Sequence, residues 1–291
     1  MAETLFKYLK SDDIRKLSSF EFAPKAIAEG YLSGRHKSSS RGNSVEFRDY
    51  RQFVNGDDPA LVDWRVLART DREYLRTYEQ ETNLECHVFL DSSASMGYGR
   101  KITKLEYASF FTAVLCYLVV KNTDKVSLQI FDDKIRSYFP PGSTGRHLNS
   151  LMHALENNFS GNRTSVSEAL RRSFPLLKRR GTLVIVSDFF DDPAAVFSAL
   201  SPYLHRHFRI HLFHVLAPEE MDLADIGYAT FEDMETGRRI VANADNIRRH
   251  YKNAMNEHMN AMRQLAVRRN VDYQIARTDA HYFNLLDRLV K

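Results

Sequence analysis

Cysteine is scarce: only Cys86 and Cys116 occur among 291 residues, each inside an apolar stretch. That excludes a disulfide framework and points to reduced thiols within a core. Long hydrophobic runs are missing too. Phe110 to Val120 falls well short of the roughly 20 residues that cross a bilayer, and the opening MAETLFKYLKSDDIRK lacks the apolar centre of a signal peptide. A surplus of one charge is absent: 41 Lys and Arg against 37 Asp and Glu leave +4, too little to argue for nucleic acid. No G-x-x-x-x-G-K-[ST] loop is present, so any ATP hydrolysis belongs to another chain. No internal repeat or long low-complexity segment appears. The expectation from these absences is a soluble, cytoplasmic protein.

What is present is a globular composition, 43% hydrophobic and 27% charged, in a chain long enough to bury a substantial core. Residues 45–54 and 73–81 are rich in aromatic and β-branched side chains and predict strands. Between them Gly56-Asp57-Asp58-Pro59 predicts a turn before a short element holding the only tryptophan, Trp64. We expect Trp64 to be buried and Arg69 to pair with an acid. The Ser-rich segment Gly34 to Gly42 predicts a loop.

From residue 84 a regular alternation begins. Strands are predicted at 84–91, 125–132, 134–139, 182–186, 209–216 and 271–276. Helices are predicted at 101–121, 144–157, 165–178, 193–205, 244–268 and 281–290, with a hairpin at 228–242. Alternating strands and helices imply an α/β fold with a doubly wound, mainly parallel sheet. The predicted organisation is an N-terminal extension over 1–81 packing on a main domain over 82–291.

The strand Val88-Phe89-Leu90 leads into Asp91-Ser92-Ser93-Ala94-Ser95, and Val184-Ile185-Val186-Ser187 leads into Asp188. Ligands in such sheets lie beyond the carboxyl ends of strands, where strand order reverses. If these strands are neighbours, two carboxylates share one crevice, and either one protonates or a cation lies between them. Ser93, Ser95 and a third segment, Gly161 to Leu170 with Thr164, add hydroxyls. Hydroxyl, carboxylate and water oxygens suit a hard cation such as Mg2+. The bland alternative makes Thr164 or Ser165 a helix N-cap and Asp188 a cap or turn residue.

Asp91, Ser93, Ser95, Thr164 and Asp188 together resemble the metal-ion-dependent adhesion site of von Willebrand factor A-like domains. Gly56-Asp57-Asp58, Asp63-Trp64, Ala68-Arg69-Thr70 and Tyr74, with Gly34, Gly42 and Phe47, resemble the signature of the bacterial family called domain of unknown function 58. That resemblance implies hydroxyl ligation by Ser93, Ser95 and Thr164, with Asp91 and Asp188 binding directly or through water. Mg2+ is the expected ion, with Mn2+ or Ca2+ as alternatives. It also implies a non-enzymatic module that takes an acidic residue of another protein on its metal and works with an AAA ATPase of the MoxR type. Such domains often carry Gly after the second acid; here Phe189-Phe190 follows, a pair expected to flank the crevice or contact a partner.

Two other classes compete. A magnesium-dependent hydrolase of phosphate esters would need a general base, and His87, near the site in sequence, belongs to a strand. His205, His207, His211 and His214 invite a transition-metal reading but straddle a helix end and a strand start, so their rings are expected to diverge. A nucleic-acid binder would use Arg248, Arg249, Lys252, Arg263, Arg268 and Arg269. These are expected to form a solvated face opposite Met255, Met259 and Met262.

Overall fold

The computed structural model describes residues 6–18, 45–54, 62–80, 85–161, 165–221, 227–234 and 237–290. Gly34, Gly42, Asp57, Asp58 and Thr164 therefore lie outside the described residues. The chain forms two compact units, Leu32–Asn83 and the remainder (Met1–Tyr31 with Leu84–Lys291).

In chain order the elements are α1 Ser11–Ser18, β1 Val45–Gln52, α2 Trp64–Thr70, β2 Tyr74–Gln80, β3 Glu85–Asp91, α3 Lys104–Lys121, β4 Lys125–Phe131 and β5 Ile135–Gly142. Then follow α4 Gly145–Glu156, α5 Val166–Ser173, β6 Thr182–Ser187, α6 Pro193–His205, β7 Arg209–Leu216, α7 Pro218–Met221, β8 Tyr228–Glu232, β9 Arg239–Asn243, α8 Ala244–Arg269, β10 Asp272–Arg277 and α9 Phe283–Val290.

In the smaller unit β1 and β2 form an antiparallel pair with a register shift between Phe47 and Asp49. Asp63 caps α2, accepting from the Arg65 amide at 3.0 Å. Two expectations fail here. Trp64 is 64% exposed, because it occupies the first position of a one-sided short helix. Arg69, also exposed, turns its guanidinium onto the Arg65 carbonyl at 3.4 Å.

The larger unit is built on a six-stranded sheet in the order β10-β7-β6-β3-β4-β5. All neighbours are parallel except β4 and β5. β5 runs through Pro140 and Pro141, which a ladder tolerates only at an edge. Strands β3, β6 and β7 are buried along nearly their whole length, as a sheet covered on both faces requires. One core gathers Val88 and Leu90 of β3 with Phe111, Leu115 and Leu118 of α3 and Leu286 of α9. The opposite core gathers Phe89 with Ile185, Phe197 and Leu200. Residues 88 to 90 thus alternate between the two faces, as the strand period demands. Tyr8, Leu9 and Leu17 join the first core, and the Lys121 ammonium of α3 donates to the Leu17 carbonyl at 3.2 Å.

Helix ends follow their caps rather than the hydrophobic period. Thr103 and Glu106 form a reciprocal capping box, so α3 starts at Lys104 rather than 101. Pro175 converts the end of the predicted 165–178 helix into a single 3-10 turn, Phe174–Leu176. Met255, Met259 and Met262 of α8 are buried, while Arg249, Lys252, Arg263, Arg268 and Arg269 are exposed.

Candidate functional site

From β3 the chain proceeds through α3 to β4 on one side, whereas β6 lies on the other. The reversal of strand order therefore falls between β3 and β6. These strands pair in parallel with Leu90 opposite Val186, so Asp91 and Asp188 leave the sheet side by side at its carboxyl edge. The alternation in Asp91-Ser92-Ser93 now has a physical account. Ser92 turns to the β4 side, where its amide and hydroxyl both donate to the Phe131 carbonyl at 2.8 and 3.0 Å. Asp91 and Ser93 turn the other way.

Asp91 is fully buried. Its Oδ1 accepts from the Ser93 amide at 2.9 Å and its Oδ2 from the Ser187 hydroxyl at 2.6 Å. The hydroxyls of Ser93 and Ser95 lie 3.0 Å apart. Burial, and then the neighbouring charge of Asp188, push the Asp91 carboxyl up to about 7 against the pull of those hydrogen bonds. Asp188 is 1% exposed, and its Oδ1 is buried with no hydrogen-bond partner among the described residues.

The flanking segments are tied to the same edge. The Gly161 amide donates to the Ser92 carbonyl at 2.6 Å. Ser165 is the N-cap of α5, and the Ser167 amide donates to Asp191 at 3.2 Å. Asp192, not Asp188, caps α6 through the amides of Ala194 and Ala195. The capping assignment for Asp188 is thereby removed.

Phe189 has a φ of 47°, the left-handed conformation that glycine adopts without strain. The turn after Asp188 thus has the shape that makes Gly common there, and this chain meets it with a residue that costs about 1–2 kcal/mol. The ring of Phe189 is fully buried, with an edge-to-face contact to His214. This corrects the expectation for the pair: Phe189 is a core residue, and Phe190, 47% exposed, is the one facing outward.

Sequence reasoning missed the most consequential neighbour. Lys104, at the first turn of α3, is fully buried. Its ammonium donates to Asp188 Oδ2 at 2.8 Å and to Glu220 Oε1 at 2.5 Å, and lies 4.9 Å from the Phe190 ring centroid. Burial alone would lower its pKa, but Asp188 and Glu220 outweigh that and raise it. Glu220 is held through Oε2 by the Ala217 amide at 2.9 Å; burial raises its pKa against the opposing charge of Lys104. A signal existed: a cation in the first turn opposes the helix dipole, so Lys104 needed acidic company.

The histidines do not converge. His87 is buried in β3, 2.7 Å from the Ser127 hydroxyl, and burial lowers it to about 4. His211 and His214 stand three residues apart on β7 and therefore face opposite sides. His214 bonds the Tyr273 hydroxyl at 2.6 Å, and His211 lies 3.2 Å from Asp272. Among the described residues no group of three or more His, Cys, Asp or Glu could hold a metal ion. The oxygens at the switch point are two carboxylates and hydroxyls instead, a set that fits a hard cation rather than zinc.

Sheet order, the single antiparallel edge and helices on both faces make this a von Willebrand factor A-like α/β domain. The model of the family described as protein of unknown function DUF58 matches residues 49–261, and the chain belongs to that family. A Mycobacterium tuberculosis protein described as uncharacterized is 26% identical over 228 residues, covering 76% of this chain and 70% of the relative. Among solved structures, an aerotolerance-related membrane protein of Bacteroides fragilis is 16% identical and covers 71% of this chain and 96% of its own, with a TM-score of 0.50. BatB of Bacteroides thetaiotaomicron is likewise 16% identical, covering 70% of this chain and 99% of its own, with a TM-score of 0.48. Among the described residues no helix is long and apolar enough to cross a membrane.

Proposed function

We propose that this protein is a non-enzymatic binding module that recognises another protein through a divalent cation held by Asp91, Ser93, Ser95 and Asp188. Thr164 is the further hydroxyl that the family resemblance assigns. The observation that carries this reading is the buried Oδ1 of Asp188, without a hydrogen-bond partner among the described residues, beside Asp91 at the strand-order reversal. Two carboxylates in a dry setting need a proton or a cation, and the adjacent hydroxyls supply neutral oxygens that keep the total negative charge low. The ion, Mg2+ by this donor chemistry with Mn2+ or Ca2+ as alternatives, would present a positive coordination vacancy to an acidic side chain of the partner.

Asp91 accepts the Ser93 amide and so fixes the loop that carries both serines. Ser187 orients the other oxygen of Asp91. Phe190 supplies exposed apolar surface beside these groups. The resemblance noted in the sequence implies a MoxR-type AAA ATPase as the companion chain, this sequence carrying no G-x-x-x-x-G-K-[ST] loop. A hydrolase is disfavoured because His87 and His214 are buried and bonded within the sheet.

Calorimetric titration of Mg2+ into wild type and Asp91→Ala tests the site: we expect saturable binding by the first and none by the second. Equal heats from both overturn it. Phosphate-ester turnover abolished by Asp91→Ala would establish an enzyme instead. Recovery of a MoxR-type ATPase from native lysate with Mg2+, and its loss in EDTA, tests the partner.

A further inference from the structure

We propose that Lys104 is a built-in counter-cation of the Asp91–Asp188 crevice, a positioning residue that sets how tightly the crevice holds a divalent ion. This rests on the metal-site reading above and adds a residue that the adhesion-site resemblance does not include.

The geometry is specific. Lys104 is fully buried, and a buried ammonium is stable only when it is paired and hydrogen-bonded. It meets that need with one oxygen of Asp188, one oxygen of Glu220 and the face of Phe190. Glu220 is no loose surface acid: the Ala217 amide holds its second carboxylate oxygen, and the Tyr251 hydroxyl donates to its carbonyl at 2.8 Å. The ammonium is thereby fixed between β6 and the short helix α7. It occupies Asp188 Oδ2 and leaves Oδ1 as the oxygen without a partner among the described residues.

Charge counting gives the consequence. With Asp91, Asp188 and Glu220 ionised, three negative charges face the one positive charge of Lys104, a shortfall that one divalent ion would cancel. The ammonium also repels that ion, because both act on the carboxylate of Asp188 and the surroundings are poorly screened. Lys104 therefore keeps the two acids compatible with folding before the ion arrives, at the expense of weaker ion binding. Removing it should destabilise the metal-free chain and tighten the site. A purely structural lysine predicts the opposite second effect, since a disordered carboxylate pair binds more weakly.

The test uses the full chain and two probes, Mg2+ by calorimetry and Mn2+ by loss of the free-ion electron paramagnetic resonance signal. Lys104→Met keeps the apolar stem and removes the charge. Its dissociation constant should fall at least tenfold, and its melting temperature in EDTA should drop and recover with Mg2+. Glu220→Gln leaves the ammonium less neutralised and should weaken binding at least threefold. The double variant restores the native net charge and should return to within about threefold of wild type.

If wild type binds and Lys104→Met binds equally or more weakly, the role given to Lys104 is overturned while the site stands. If Lys104→Met does not fold, unchanged or tighter binding by Glu220→Gln overturns it. If wild type binds neither ion, the metal site itself falls, and this inference with it.

Discussion

Replacing Asp91 by Asn should stabilise the metal-free protein at pH 8 and do much less at pH 5. The side chain is buried beside Asp188, which shifts its carboxyl from an ordinary 3.8 to about 7. Between those values the folded chain retains a proton that the unfolded chain has released. Stability from this group is thus fully present below about 3.8 and is lost progressively as pH rises from there through about 7. A gap of about three in pKa, at ~1.4 kcal/mol each, sets a ceiling of about 4 kcal/mol on the penalty above pH 7. Asn has nearly the same shape, and its oxygen can still accept the Ser93 amide, so most of that penalty should disappear. Urea denaturation in EDTA at pH 5 and pH 8 reads the effect as the difference between the two proteins, in which titrating groups away from this carboxylate pair cancel. We expect the variant to gain about 2–4 kcal/mol at pH 8 and no more than about 2 kcal/mol at pH 5, where only part of the window between the two pKa values has been crossed. Mg2+ at a thousandfold excess over Kd should close or reverse the gap at pH 8, because only wild type gains binding energy, worth about 4 kcal/mol at that excess. An Asn variant that is less stable than wild type at pH 8 in EDTA would refute the account of Asp91 as a strained, buried carboxylate.

Three further outcomes are accessible. His87, His211 and His214 are lowered to about 4, 4 and 3, chiefly by burial, so their imidazoles should remain neutral at pH 6 in a side-chain nuclear magnetic resonance titration; because these folded values are depressed, their stabilising share is present above about 6.5 and is lost as pH falls toward 4. Gly181→Ala would place a Cβ 2.0 Å from the Glu85 carbonyl oxygen, a backbone clash that should cost at least about 3 kcal/mol and lower the melting temperature by roughly 6–12 °C. Phe190→Ala removes a half-exposed ring over the Lys104 ammonium and should change stability by no more than about 1 kcal/mol, while partner capture in a magnesium pull-down falls sharply; unchanged capture removes Phe190 from the contact surface.

The parts of the fold that follow from repetition were legible in the sequence, and the parts that follow from pairing were not. Alternation of strand and helix from residue 84 onward fixes the parallel sheet, because a continuous apolar strand such as Val184-Ile185-Val186 is stable only when covered on both faces. The places of Asp91 and Asp188 at strand ends followed from the same pattern. Trp64 was misjudged because an aromatic ring is buried only if something covers it, and a seven-residue helix shows one face to water. Phe189 was misjudged because its role depends on a φ of 47°, which rotates the ring inward and leaves only its neighbour outside.

Lys104 was the largest omission, and its reason reaches beyond this chain. A helix-initial lysine beside Arg100 and Lys101 looks like solvated charge, and only its opposition to the dipole of its own helix distinguishes it. What buries it is Asp188, 84 residues away, and Glu220, 116 residues away. The sheet brings those acids together only because β3, β6 and β7 are consecutive neighbours ending at one edge. A charged residue can be misplaced locally and satisfied globally. The mismatch of Lys104 with the dipole of its own helix is therefore the sequence-level trace of the acids it meets. If so, exchanging Lys104 and Glu220 as Lys104→Glu/Glu220→Lys should fail to restore either stability or ion binding. The swapped carboxylate would stand at the favourable end of α3 yet directly against Asp188, where like charges repel.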